Sequence, residues 1–309
     1  MYNREMYTYP VERKDSEGVA DLHLHTVFSD GTYDTEGLLR TAHSLKINII
    51  SITDHDSVSG VEESIAQSGK YGIEVIPGLE LTCSEGKNEI HILGYMIDHT
   101  NPLFLAELKS IQKIRKERMG MIVDILRKKG LPIDRDSFFR EVEAESISRL
   151  HLAMYLIRHK IAGSLQEVFQ KYLGDGLEAH LNVNAMTPEK GIGLIRRFGG
   201  IPVFAHPGLT RRDDLIPEMI KWGLKGLEVF NTTHSGGAVS RYLELAEKYN
   251  LFVTGGSDCH GLNKKNRLIG KVRLPVGRVE AMKTFWKDSE VSAEFSRAQF
   301  LDKSIQVSP

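Results

Sequence analysis

The sequence predicts an α/β barrel, a distorted one with fewer than the usual eight strands, and three observations predict it. Seven short apolar runs recur along the chain; helix-like stretches separate several of them; and ionisable side chains gather where most of the runs stop. A chain of 309 residues suits one large barrel, or one domain carrying an insertion.

The runs that read as strands are Ala20–Thr26, Ile47–His55, Gly72–Leu81, Glu89–Ile97, Ile201–Pro207, Gly226–Asn231 and Leu251–His260, all rich in Ile, Val, Leu and Phe. Helical patterns lie between them: Thr35–Leu45, with Leu38, Leu39 and Ala42 on one face, then Gly60–Lys70, Pro188–Phe198, Leu215–Trp222 and Ser240–Tyr249. This alternation argues for a mostly parallel sheet with helices outside. Between Asn101 and Met186 the rhythm turns to helix only, opening with Leu103–Lys129 and its apolar positions Leu108, Ile111, Ile114, Ile122 and Ile125. The expected organisation is an N-terminal extension over 1–19, a barrel over 20–100 and 187–290, a helical insertion over 101–186 and a C-terminal tail over 291–309.

Composition excludes several classes. The 40 basic and 41 acidic residues leave a formal net charge of -1, so nothing global advertises a nucleic-acid coat or a membrane surface. The basic stretch Lys109, Lys113, Arg115, Lys116, Arg118, Arg127, Lys128 and Lys129 reads either as a solvated helix face, softened by Glu107, Glu117 and Asp124, or as a guide for a phosphate backbone. Two cysteines, Cys83 and Cys259, form no C-x-x-C pair, which argues against a disulfide scaffold or thiolate zinc site and fits a reducing, cytoplasmic setting. No secretory signal and no run of about 18 apolar residues is present, so the chain reads as soluble.

The strongest local signal is Asp21-Leu22-His23-Leu24-His25. Residues two apart on a strand share a face, so His23 and His25 can reach one metal together. A lone histidine is more often an ordinary core or surface group, but a His-x-His pair at the tip of the first strand, followed by Ser29-Asp30-Gly31, favours a ligand reading. The second strand ends in Asp54-His55-Asp56, three ionisable groups that must lie at an open mouth or on metal, because burial without partners is expensive. The third brings Glu80 to the same edge; a carboxylate can bridge two cations and a neutral imidazole cannot, so Glu80 is either the bridge or an ordinary surface glutamate. His91, His206 and the pair Asp258 and His260 follow, most at the C-terminal ends of predicted strands, where parallel α/β barrels build active sites. His91 departs from that rule, since it lies early in its run. Cys259, between two candidate ligands, points the other way and packs. Imidazole and carboxylate without thiolate suit Mn, Fe or Zn.

Taken in order, His23-x-His25 with Ser29-Asp30-Gly31, Thr53-Asp54-His55-Asp56, Gly78-x-Glu80, His91-Ile-Leu-Gly94, Ala205-His206-Pro207 and Gly256-Ser257-Asp258-x-His260 resemble the PHP (polymerase and histidinol phosphatase) phosphoesterases, most closely the stand-alone TrpH or YciV-like branch. The match runs from Ala20 to Gly261. The resemblance implies a distorted (β/α)7 TIM-like barrel and a trinuclear site. Its nine ligands would be His23, His25, Asp30, His55, Glu80, His91, His206, Asp258 and His260. By the same analogy His23, His25, Glu80 and Asp258 would hold one ion, Glu80, His91 and His206 a second, and Asp30, His55 and His260 the third. Ser148-Arg149-Leu150-His151 resembles an Arg-x-His segment of that branch's insertion, which makes Arg149 the candidate grip on substrate phosphate; His234, just after the strand Leu227–Phe230, is a second substrate-side candidate.

The expected reaction is hydrolysis of a phosphate ester by a hydroxide bridging two of two or three divalent ions, with Arg149 orienting the phosphate and His234 or Asp54 relaying a proton to the leaving oxygen. The expected substrate is a nucleoside monophosphate, a 3′,5′-bisphosphate or the 5′ end of a short single-stranded oligonucleotide, with no obligate protein partner. The rival readings are a histidinol-phosphate phosphatase, which shares the metal site, and a non-catalytic metal-stabilised binding module, against which the complete ligand set argues.

Overall fold

The computed structural model describes residues 18–174, 176–181, 186–261 and 268–288; most of the expected N-terminal extension and all of the expected tail lie outside them. An eight-stranded sheet curls into a nearly closed barrel with helices around it, in the strand order β7-β6-β5-β4-β3-β2-β1-β8. The strands are β1 (Val19–Leu24), β2 (Ile49–Ile52), β3 (Glu74–Glu85), β4 (Asn88–Tyr95), β5 (Ile201–Phe204), β6 (Gly226–Asn231), β7 (Phe252–Gly256) and β8 (Leu274–Pro275). The two-residue β8, unseen in the sequence because it is too short to carry a period, pairs antiparallel with the start of β1.

Beyond β8, the barrel closes where the tip of β1 meets the chain after β7. Leu24 and Cys259 form a parallel bridge, His25 N donates to Cys259 O at 3.0 Å, and Ser257 N donates to Asp21 Oδ1 at 2.8 Å. This closure requires Gly256, since a Cβ there would meet His23 N and Cβ at 2.3 Å. Cys259 is buried and packs with Leu24, Leu38 and Ile52.

The sheet is less parallel than the sequence suggests. β1, β2 and β3 run parallel, as do β5, β6 and β7, but β4 is antiparallel to both β3 and β5. The cause is local: β3 continues past Leu81 to Glu85 with Leu81 and Cys83 buried, and the two-residue turn at Gly86 (φ 60°) and Lys87 folds the chain straight back. Glu80 therefore sits in mid-strand, not at a strand end.

Helix α1 (Thr35–Ser44) follows β1 and α2 (Ser59–Tyr71) follows β2; between β4 and β5 the described elements are α3 (Pro102–Lys128), α4 (Arg135–Glu141), α5 (Arg149–Arg158), α6 (Leu165–Val168), a π-helical turn over Phe169–Leu173 and α7 (Pro188–Arg197). The first half of α3 buries Phe104 and Leu108 in the barrel's own core. Its second half gives Met119, Ile122, Val123 and Leu126 to a separate cluster with Phe138, Tyr155 and Leu156. One helix about 40 Å long thus roots the helical segment in the barrel.

Candidate metal centre

The nine histidine and carboxylate side chains expected as ligands meet at one mouth of the barrel, all of them buried or nearly so. They form four overlapping groups, His25/Asp30/His55/His260, His23/His25/Asp258, His23/Glu80/His206 and His55/Glu80/His91, with the ligand atoms of each group within 4.8 Å of one another. His23 on β1 and His25 just past its end are two residues apart on extended chain, so they share one face and reach this mouth together. The anomaly of His91 disappears in three dimensions: β4 is reversed, so its early residues lie beside Thr82 and Ala205, at the C-terminal side of the neighbouring strands.

Glu80 is the hub. Its Oε2 lies 3.2 Å from His23 Nε2, 3.3 Å from His25 Nε2 and 3.2 Å from His55 Nδ1. Its Oε1 lies 2.9 Å from His91 Nδ1 and 3.0 Å from His206 Nε2. Asp258 Oδ1 faces His25 Nε2 at 3.3 Å and His23 Nε2 at 3.6 Å, and Asp30 Oδ1 faces His260 Nε2 at 3.3 Å. The groups share members and do not divide into separate sets.

A second ring of contacts sets the tautomers. His23 Nδ1 donates to Glu228 Oε1 at 2.9 Å, His260 Nδ1 to the carbonyl of Asp258 at 3.0 Å, and His91 Nε2 to Glu89 Oε1 at 3.3 Å. In each case the other ring nitrogen turns its lone pair into the cluster. His23 Nε2, His25 Nε2 and Glu80 Oε2 are buried, face one another and make no hydrogen bond among the described residues. Lone pairs opposed across little more than 3 Å need a cation between them, so the donor set fits divalent metal. The electrostatics agree. Burial pushes the Glu80 carboxyl up, but His91, His23 and His55 outweigh it and hold the group well below the usual range. Burial likewise pushes His23 down, and Glu228 with Glu80 overcomes it, so the ring sits well above the ordinary imidazole value. The field that would keep a proton there favours a metal ion in its place.

Glu228 and Glu89 were missed in the sequence. Glu228, fully buried on β6, also accepts from His206 N at 2.8 Å, so one carboxylate fixes two candidate ligand residues, one on β1 and one just past β5. Its signal was a single acid inside an otherwise uncharged, buried strand, Gly226–Asn231, which demands a partner. Glu89 precedes His91 by two and shares its face. It also receives Arg149 Nη2 at 3.1 Å and Arg118 Nη2 at 3.4 Å, bringing two guanidinium groups of the helical segment to the edge of the cluster. The basic stretch of α3 is therefore divided: Arg115 and Arg118 are buried against the barrel, while Lys109, Lys113 and Lys116 are exposed. Arg115 Nη1 ion-pairs with Asp56 Oδ2 at 2.6 Å.

Arg149 is further held by Leu173 O at 3.1 Å and His180 Nδ1 at 2.9 Å. His234 is buried with both ring nitrogens engaged: Nδ1 donates to Val229 O at 2.8 Å, and Nε2 accepts from Gly208 N at 3.1 Å. Both oxygens of Asp54 are likewise taken. Oδ1 accepts from Thr26 N at 2.7 Å and Ser29 Oγ at 2.5 Å, and Oδ2 accepts from Thr26 Oγ1 at 2.5 Å. Asp54 thus shapes the turn that presents Asp30. Burial raises its carboxyl above the ordinary value against the pull of His25 and these donors.

An α/β barrel whose mouth is packed with imidazoles and carboxylates that can hold metal is the architecture of a metal-dependent hydrolase. A family model described as the PHP domain matches residues 21–180. The 5′-3′ exoribonuclease Rnm of Escherichia coli is 31% identical over an alignment of 291 residues that covers 89% of this chain and 96% of that protein. The 3′,5′-nucleoside bisphosphate phosphatase of Chromobacterium violaceum is 31% identical over 256 residues, 81% of this chain and 90% of that protein. A structure from Bifidobacterium adolescentis described as a metal-dependent phosphoesterase superposes with a TM-score of 0.78 at 28% identity, covering 86% of this chain and 95% of that one. The chain belongs to the PHP domain family and is a metal-dependent phosphoesterase. No helix among the described residues is long and apolar enough to cross a membrane.

Proposed function

We propose that this protein hydrolyses nucleotide-type phosphate esters, namely nucleoside monophosphates, 3′,5′-bisphosphates or the 5′ end of short single-stranded oligonucleotides, using two or three divalent ions. The observation that carries the reading is Glu80, a buried carboxylate within 3.3 Å of ring nitrogens from five histidines. The proposed ligands are His23, His25, Asp30, His55, Glu80, His91, His206, Asp258 and His260, with Glu80 as the bridge. An oxygen and imidazole donor set without thiolate suits Mn, Fe or Zn. When bound, the ions supply Lewis acidity for displacement at phosphorus and acidify water.

The chain's own groups do the rest. Glu228, Glu89 and the Asp258 carbonyl hold three imidazoles in the ligating tautomer. Arg149 and Arg118, at the edge beside His91, bind and orient the phosphate as paired forks. His234 holds the loop after His206, and Asp54 the turn before Asp30, so both act as positioning residues in place of the proton relay considered from sequence alone. The substrate class draws support from the relatives named as an exoribonuclease and a nucleoside bisphosphate phosphatase. Both cysteines are free and buried, in keeping with a cytoplasmic setting.

The test is phosphate release by Mn-loaded protein from nucleoside monophosphates, 3′,5′-bisphosphates, short 5′-phosphorylated RNA and histidinol phosphate. A His23→Ala/His25→Ala variant serves as the control. We expect turnover of the nucleotide substrates that the variant loses. A clear preference for histidinol phosphate, or no turnover with metal bound, overturns the reading.

A further inference from the structure

Behind His55 stands a hydroxyl where His23 and His91 have a carboxylate. Thr82 Oγ1, on β3 two residues beyond Glu80, lies 3.4 Å from His55 Nδ1 and receives Arg115 Nη1 at 2.6 Å. The same Nη1 ion-pairs with Asp56 Oδ2, Asp56 Oδ1 accepts from Thr82 N at 3.0 Å, and Arg115 Nε donates to Ile147 O at 3.1 Å. Asp56 follows His55 directly, in a left-handed backbone (φ 49°). Its N–H bonds Glu80 O at 2.9 Å and its carbonyl accepts from Gln112 Nε2 at 2.9 Å. Burial lifts the Asp56 carboxyl above its ordinary value against the pull of Arg115 and of hydrogen bonds from the Thr82 main chain and side chain. Just beyond, Ser57 Oγ and Ser59 Oγ donate to Glu145 Oε2 at 3.0 and 2.6 Å. The helix α3 and the loop before α5 thus grip the chain that leaves His55.

Counting donors and acceptors places the His55 proton. A guanidinium only donates, and a threonine hydroxyl has one proton and two lone pairs. Thr82 Oγ1 therefore accepts from Arg115. Its proton goes to the Asp56 carboxylate, a stronger acceptor than a neutral imidazole, so its other lone pair faces His55 Nδ1. Glu80 Oε2 faces the same nitrogen at 3.2 Å. Two acceptors at one ring nitrogen call for an N–H there, which leaves the lone pair on Nε2. That nitrogen lies 4.0 Å from Asp30 Oδ2, a gap spanned by two metal–ligand bonds of about 2.1 Å.

We propose that Thr82 is a positioning residue for the ion that Asp30, His55 and His260 would hold, and that Arg115 acts through it. The Thr82 hydroxyl keeps the His55 proton on Nδ1, so occupancy of this position depends on α3 being seated against the barrel. The inference rests on the metal-centre reading above and deepens it.

The experiment titrates Mn into metal-depleted protein by calorimetry. The variants are Thr82→Val, which removes the hydroxyl and keeps the branched shape, Thr82→Ser, Arg115→Gln and the Thr82→Val/Arg115→Gln pair. A His260→Ala variant marks the binding step that belongs to this ion. We expect Thr82→Val to raise Kd for that step about tenfold, the low end of the effect of losing a group behind a ligating imidazole, and to leave the other steps within about twofold. Thr82→Ser should restore it. Arg115→Gln should weaken the same step, and the pair should bind no more weakly than the worse single variant, because one residue acts through the other. Ring 15N signals of His55 in the metal-free protein give the tautomer without turnover: Nδ1–H in the wild type, a mixture in Thr82→Val. The proposal is overturned by an Nε2–H wild type, by no step that His260→Ala removes, by unchanged or uniformly weakened steps, by no rescue in Thr82→Ser, or by additive effects in the pair. If Arg115→Gln does not fold, the Thr82 variants and the tautomer decide. Failure of the phosphoesterase reading looks different: no phosphate ester is turned over, while the binding steps and the tautomer stand.

Discussion

Glu228 shows how much of this site rests on residues that would never touch the reacting atoms. It fixes the tautomer of His23 and the main chain of His206 together, from a fully buried position. Glu228→Gln should lower metal affinity or activity by about 10–100-fold, the usual consequence of losing an outer carboxylate behind a ligating imidazole. Metal content after dialysis against limiting Mn, alongside kcat, reads this out, and full occupancy with unchanged kcat would disprove it. Glu89→Gln separates two roles, because Glu89 serves both His91 and the Arg118 and Arg149 pair. The expected outcome is a rise in KM together with reduced metal content, whereas Arg149→Ala should raise KM alone. At this scale the histidines were legible because imidazoles spaced by two on a strand are unusual. Glu228 and Glu89 were not, because a carboxylate behind a ligand is recognised only when the ligand's other nitrogen can be seen.

At the scale of elements, the barrel's closure and the seat of the helical segment each hang on one packing device. Gly256→Ala forces a Cβ into His23 at 2.3 Å, and either β1 or β7 must move. A stability loss of about 1–3 kcal/mol is expected from overpacking. Metal binding should weaken with it, since His23 and His25 ride on β1; denaturation midpoints and metal titration test both. Arg115 on α3 is a buried cation paired with Asp56, and its Nε also donates to Ile147 O at 3.1 Å. Arg115→Ala strands a buried carboxylate, for an expected cost of about 3–5 kcal/mol. A loss under about 1 kcal/mol in urea unfolding would show that α3 is anchored by Phe104 and Leu108 alone. The helices were read well, because a 3.6-residue apolar period is local to the segment that carries it. The direction of β4 was not, because an apolar strand has the same pattern whichever way it runs; the turn at Gly86 decides the reversal, and the reversal brings His91 to the site.

For the molecule as a whole, nine candidate ligands come from both ends of the described chain and from loops or strands around the entire barrel, so metal occupancy and global stability are one equilibrium. Ions that bind the folded state and not the unfolded one stabilise it by about 2.7 kcal/mol at a hundredfold excess over Kd. Chelation should therefore lower the unfolding midpoint, and a midpoint unmoved after verified metal depletion would refute the coupling. A formal net charge of -1 hid the local charges that matter, with guanidinium groups at Arg118 and Arg149 on Glu89 at the edge of a carboxylate hub. By itself the sequence determined the α/β class, most strand and helix positions and the candidate ligand residues, because alternation, periodicity and paired imidazoles act over a few neighbours. Only the tertiary structure decided which carboxylate stands behind which histidine and which arginines turn inward. Those contacts, such as His23 with Glu228 across 205 residues of chain, arise from barrel closure and leave no local pattern.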